Sequence, residues 1–159
     1  MNNKIVSALI ILLSVIADRL TKIIAATNLR DSGIGSVDII SDVLSLTYHE
    51  NRGAAFGMFA DSRWIFMVFS VVGILAVLVY LFFFKENNKL VTSSLALIAG
   101  GGIGNMIDRI SNGYVVDFIY FEIIDFPIFN VADICVTCGS FLLIIYLLST
   151  IKQGDVQGS

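Results

Sequence analysis

Asp117 and Asp133 are the residues of this chain whose type and setting could do chemistry. Asp117 stands in Val-Val-Asp-Phe-Ile (115–119), among apolar neighbours and with no cation beside it in sequence. Asp133 stands in Phe-Asn-Val-Ala-Asp (129–133), at the head of a long apolar stretch. Ionisable groups at membrane depth are costly unless paired or hydrated, so each is a functional candidate. Two carboxylates brought together cannot both ionise readily; they share a proton and their titrations split. One can then deprotonate a water while the other donates to the carbonyl oxygen of a peptide. That is aspartyl protease chemistry, which needs neither a covalent adduct nor a metal. The spacing alone leaves other readings open. Paired acids also line ion pathways, and Asp133, three residues after Asn130, completes a capping box at the positive end of a helix.

Other polar residues fall in patterned groups. Asp18 and Lys22 are spaced i,i+4 on one helix face and can neutralise each other. Asn105, Asp108 and Arg109, at i, i+3 and i+4, also share a face, so Asp108 is expected to pair with Arg109 or with a neighbouring helix. Cys135 and Cys138 form a C-x-x-C without a second pair to relay electrons, and packing as small hydrophobes is the expected role. His49 is expected in a loop. Two cysteines and one histidine are too few for a disulfide framework or the usual zinc site, so neither a metal nor a cofactor is expected.

The elements that must position these residues are membrane helices. Of 159 residues, 57% are hydrophobic and 14% charged, against about a quarter charged in soluble domains. Trp64 to Phe84 is uncharged and long enough to cross a hydrocarbon core of about 30 Å. Four spans are expected, at roughly 5–26, 64–84, 90–107 and 131–151, in one domain over 1–159. The apolar run from Ile5 continues past Asp18 through Ala26, which argues for a span rather than a cleaved leader. Gly100, Gly101, Gly102 and Gly104 in the third span would let neighbouring backbones approach closely. The stretch Asp42 to His49 partly alternates and is rich in β-formers, so a short strand or hairpin on the membrane surface is expected between the first two spans. The fold class is thus an all-α membrane protein with a small β element.

Four spans put both termini on one side, with the loops 27–61 and 108–130 on the other. Lys4, Lys85, Lys89 and Lys152 lie on the terminal side; Arg19, Lys22, Arg30, Arg52, Arg63 and Arg109 lie on the opposite one. Setting aside the four that fall in functional-looking clusters leaves Arg30 and Arg63, and the terminal side becomes the cytoplasmic one. A net charge of −3 gives no basic surface for nucleic acid.

Taken together the motifs resemble the bacterial lipoprotein signal peptidases (signal peptidase II). The blocks that carry the resemblance are Ala-Asp-Arg-Leu-Thr-Lys (17–22), Asn-Arg-Gly-Ala-Ala-Phe-Gly (51–57), Gly-Asn-Met-Ile-Asp-Arg (104–109), Val-Val-Asp-Phe-Ile (115–119) and Phe-Asn-Val-Ala-Asp (129–133), in the family's order. The resemblance implies four transmembrane helices, a surface β element over the substrate, and Asp117 and Asp133 as catalytic dyad. It implies Asp18, Lys22, Asn51, Gly53, Asn105, Asp108, Arg109 and Asn130 as supporting or substrate-binding positions. It implies cleavage of diacylglyceryl-modified prolipoproteins on the amino side of the lipidated cysteine, at the outer face of the cytoplasmic membrane, by a monomer in contact with lipid. An ion-coupled carrier would want its acids in mid-span, whereas Asp117 and Asp133 are expected at helix ends; a non-catalytic assembly factor would tolerate Asp117→Asn.

Overall fold

The structure, a computed structural model, describes residues 2–53 and 63–157. The Ala54–Gly57 part of the Asn51–Gly57 motif therefore lies outside the described residues. Four α-helices run along the chain: α1 Asn3–Ala25, α2 Arg63–Phe83, α3 Lys89–Ser111 and α4 Val131–Gln157. These helices overlap the apolar stretches 5–26, 64–84, 90–107 and 131–151. A π-helical segment, Ala26–Asp31, extends α1, and α3 and α4 run four and six residues past 107 and 151. Asparagines begin three of the helices. Asn2 accepts from Lys4 N–H and Asn88 from Leu90 and Val91 N–H, which satisfies amides that no helical carbonyl can reach. Asn130 does the same for α4.

Among the described residues two stretches are long and apolar enough to cross a membrane, α3 and the Val131–Ile151 part of α4; the apolar part of α2, Met67–Phe83, is shorter. Much of the apolar surface faces outward, including Leu13, Phe69, Phe83 and Phe141. Inside, α3 is the central helix, and its glycines set how close its neighbours come. Gly104 lies against Asp18 of α1, where a β-carbon would fall 2.6 Å from Oδ2. Gly101 lies against the first turn of α4, where a β-carbon would collide with the Ala132 carbonyl.

A three-stranded antiparallel sheet covers one end of the helices. Its strands are β1 Ser36–Ile40, β2 Leu44–Asn51 and β3 Val115–Phe121, in the order β1-β2-β3. The expected hairpin is present as β1 and β2. The third strand corrects the sequence reading, because it comes from the connection between α3 and α4 rather than from the first loop. Gly113, at φ 79°, turns the chain out of α3 into β3 in a conformation other residues adopt at a cost. Phe118 packs under the sheet against Ala25 and Leu29, with Leu46, Tyr48 and Val131 around them. On its free edge β3 is bridged to Phe129, whose N–H donates to Ile119 at 3.0 Å and whose carbonyl accepts from Phe118 and Ile119 at 3.0 and 2.9 Å. That bridge fixes where α4 can start.

Gly101→Ala is expected to lower stability by about 1–3 kcal/mol, because α4 must move off α3. Thermal unfolding in detergent checks it, and an unchanged midpoint would show that the close approach is not required.

Candidate active site

β3 carries Asp117 and α4 carries Asp133. The expectation that Asp117 sits at a helix end is corrected here: it lies within the strand, with His49 of β2 as its cross-strand partner. The run Val-Val-Asp-Phe-Ile-Tyr-Phe is β-branched and aromatic, which suits a pleated surface packed on both faces. His49, expected in a loop, is a strand residue, and register places it opposite Asp117.

Asn130 joins the two acids. Its side chain donates through Nδ2 to Asp117 Oδ1 at 2.6 Å. Its Oδ1 accepts from the Asp133 N–H at 3.0 Å, while its own N–H donates to Asp133 Oδ2 at 3.1 Å. Asp133 therefore completes the capping box as well as standing beside Asp117, so the structural and the chemical readings of this residue hold together. The remaining oxygens are also filled. Asn51 Nδ2 donates to Asp117 Oδ2 at 2.9 Å and Asn105 Nδ2 donates to Asp133 Oδ1 at 2.7 Å. The Gly53 N–H holds Asn51 by donating to its Oδ1 at 3.1 Å.

Behind this pair lies a buried ion cluster. Lys22, 1% exposed, contacts Asp18 Oδ2 at 2.9 Å and Asp108 Oδ2 at 3.0 Å, both of them fully buried. Arg19 pairs with Asp108 Oδ1. Asp108 thus pairs with α1 and not with Arg109 beside it in sequence, the second of the two expected alternatives. The other oxygens of these acids reach backbone. Asp18 Oδ1 accepts from the Ala132 N–H at 3.0 Å, and Asp108 Oδ2 accepts from the Val116 N–H at 3.1 Å. Each buried carboxylate grips the N–H of the residue immediately before one of the two site aspartates.

Asp117 and Asp133 open onto a cavity of about 1080 Å³. Its lining includes the polar residues His49, Asn51, Gly53 and Arg109 and the apolar residues Phe126, Phe129 and Ile134. Sequence reasoning missed His49 and the Phe126–Phe129 wall, which only strand pairing brings to the site. Cys138 borders the cavity too, whereas Cys135 is part-buried. Asp117 is 1% exposed, and burial pushes its carboxyl up to about 6. Hydrogen bonds from Asn51 and Asn130 pull it down, and the Asp133 charge pushes it further up. Among the described residues no group of three or more His, Cys, Asp or Glu side chains converges in a way that could hold a metal ion. Two carboxyls tied to one asparagine at the edge of a cavity of this size have the make-up of a general acid–base pair.

Comparison with known proteins gives consistent matches. Residues 10–149 match the family described as signal peptidase (SPase) II. The lipoprotein signal peptidase of Clostridium tetani is 47% identical over 144 residues, covering 88% of this chain and 90% of that protein. That of Halothermothrix orenii is 42% identical over 147 residues, 92% of this chain and 98% of that protein. A bacterial membrane enzyme solved by the in meso method at 2.3 Å superposes with a TM-score of 0.84 at 36% identity, over 93% of this chain and 90% of its own. A second, solved at 1.9 Å, gives 0.79 at 38% identity, over 90% of this chain and 92% of its own.

Proposed function

We propose, from the premise that this chain belongs to the signal peptidase II family, that Asp117 and Asp133 are the catalytic dyad with which it cuts its substrate. The chain is a peptidase that removes signal peptides from prolipoproteins. The observation that carries the dyad is the Asn130 bridge: its Nδ2 donates to the Asp117 carboxyl and its backbone N–H to the Asp133 carboxyl, at the wall of one cavity.

The dyad holds one proton between its two carboxyls. The ionised member takes a proton from a water as that water attacks the scissile carbonyl; the protonated member donates to the carbonyl oxygen. The tetrahedral intermediate collapses when its nitrogen is protonated and the C–N bond breaks. The products are the signal peptide carboxylate and a mature protein whose first residue is the diacylglyceryl cysteine. The scissile bond lies on the amino side of that cysteine. Asn51, Asn105 and Asn130 orient the dyad, Asp18, Lys22 and Asp108 hold the backbone that carries it, and Gly53 steadies Asn51. Arg109, on the cavity wall, meets the peptide or a lipid phosphate.

The enzyme is one integral membrane domain of four spans, α1 to α4, with both termini in the cytoplasm and the sheet at the outer face. Lys4, Lys85, Lys89 and Lys152 on the terminal side support this orientation. Lys4 Nζ donates to the Phe82 carbonyl at 2.6 Å, so the start of α1 and the end of α2 share one side. The working unit is a monomer in contact with lipid, and its substrate is a diacylglyceryl-modified prolipoprotein of the cytoplasmic membrane.

Asp117→Asn and Asp133→Asn are each expected to cut turnover of a lipidated proprotein by about 10⁴-fold or more while the protein still folds and inserts. Product masses from the purified variants check this, and near-normal turnover in either would overturn the dyad. The shared proton also fixes a pH dependence. Asp117 stands at about 6 in the free enzyme; below that the proton is kept, and above it the proton is lost. The kcat/KM of the wild type is therefore expected to fall as pH rises through that region. A kcat/KM that climbs steadily across it would contradict the assignment.

A further inference from the structure

We infer that Lys22 is a positioning residue of the peptidase: by donating to Asn105 Oδ1 it sets the direction of an amide relay, so that every side-chain amide around the dyad presents N–H to a carboxylate. This rests on Asp117 and Asp133 being the catalytic pair.

An asparagine amide has an accepting end and a donating end of nearly the same shape, so nothing in its size decides which end faces a carboxylate. The choice must come from a partner that cannot change role. Lys22 is such a partner, because an ammonium only donates. Its Nζ lies 2.9 Å from Asn105 Oδ1. With Oδ1 turned to α1, Asn105 Nδ2 must point to Asp133, and it donates to Oδ1 there at 2.7 Å. The same Asn105 oxygen accepts a second bond, from Asn130 Nδ2 at 3.1 Å. Asn130 is fixed from its other end as well, since its Oδ1 accepts from the Asp133 backbone N–H, which also cannot reverse. Its Nδ2 is thereby committed to Asp117 Oδ1. On the other side, the Gly53 N–H fixes Asn51 in the same sense. Two backbone amides and one ammonium determine three side-chain amides.

Of those three anchors, Lys22 is the one that a side-chain change can remove. It is 1% exposed and lies among Asp18, Asp108 and Asn105. Without it, Asn105 Oδ1 keeps only the 3.1 Å bond from Asn130 Nδ2, a donor already committed at 2.6 Å to Asp117, so the half-turn that offers Oδ1 to Asp133 comes within reach. A donor becomes an acceptor against a carboxylate, and the dyad then holds its shared proton more tightly. The charged and titratable groups that face the dyad or line its cavity are Arg109 and Asp108 on α3, His49 on β2, Arg52 just after it, Tyr120 on β3, Asp125, Cys138 on α4, and Asp18, Arg19 and Lys22 on α1. A test has to leave their net charge unchanged.

Asp18→Asn with Lys22→Met does so, removing one negative and one positive charge together. The amide introduced at position 18 keeps an oxygen for the Ala132 N–H, and Arg19 keeps Asp108. In this double variant the alkaline limb of the pH–kcat/KM profile is expected about one unit above that of the wild type, the scale of one hydrogen bond to a charged group. Lys22 acting only as packing would lower the rate at all pH values without moving the limb. An unmoved limb in a variant that unfolds cooperatively would overturn the inference. Should that protein not fold, Asn105→Leu removes the amide and leaves Lys22 with both acids; the limb is expected to rise there too, and an unmoved limb is again fatal. Failure of the dyad itself is a separate outcome, read from turnover in Asp117→Asn and Asp133→Asn.

Discussion

The whole arrangement depends on a charge cluster sealed between helices. Asp18 and Lys22 of α1 and Asp108 of α3 are each 1% exposed or less, and they meet where α1, α3, β3 and α4 come together. Charges in such a place would be ruinous alone; paired, with the spare oxygens on backbone N–H groups, they are held at tolerable cost. What they secure is position. Asp18 takes the Ala132 N–H and Asp108 takes the Val116 N–H, each the amide of the residue before one of the two site aspartates. Removing Lys22 alone would leave the Asp18 carboxylate buried without a cation, which is far worse than never having built the cluster.

Close backbone approach is what allows this cluster to form. Gly104 lets Asp18 lie against α3, and Gly101 lets the first turn of α4 do the same. The Phe129 bridge then ties that turn to the edge of β3. Helix and strand are thus locked at two places on either side of Asn130, the residue that bonds to both Asp117 and Asp133. The cavity that both acids open onto has a mixed polar and apolar lining, from His49, Asn51 and Arg109 to Phe126, Phe129 and Ile134.

Sequence patterns revealed the local part of this. Asp18 with Lys22, and Asn130 with Asp133, are separated by four and three residues, so helical periodicity alone places them together, and both contacts are present. The helices were legible for the same reason, since an apolar run has one economical form in lipid. The third strand was not. Val115 to Phe121 is as apolar as a span, and only its pairing with Leu44–Asn51, on the far side of two helices in sequence, shows it to be a strand. Asp117 was therefore read as a helix-end residue and His49 as a loop residue. Likewise, Asp108 had two partners open to it, and the choice of Arg19 and Lys22 over the adjacent Arg109 is a matter of helix packing that periodicity does not encode.

The central claim is that the Asp117 and Asp133 carboxyls act on a single oxygen. It is tested most directly by a crystal structure of the enzyme with a lipidated peptide in which a secondary alcohol replaces the scissile carbonyl. The account requires that hydroxyl within hydrogen-bonding distance of both carboxyls, about 2.5–3.0 Å from each. A hydroxyl bound to one carboxyl alone, or seated in the groove away from both, would contradict it.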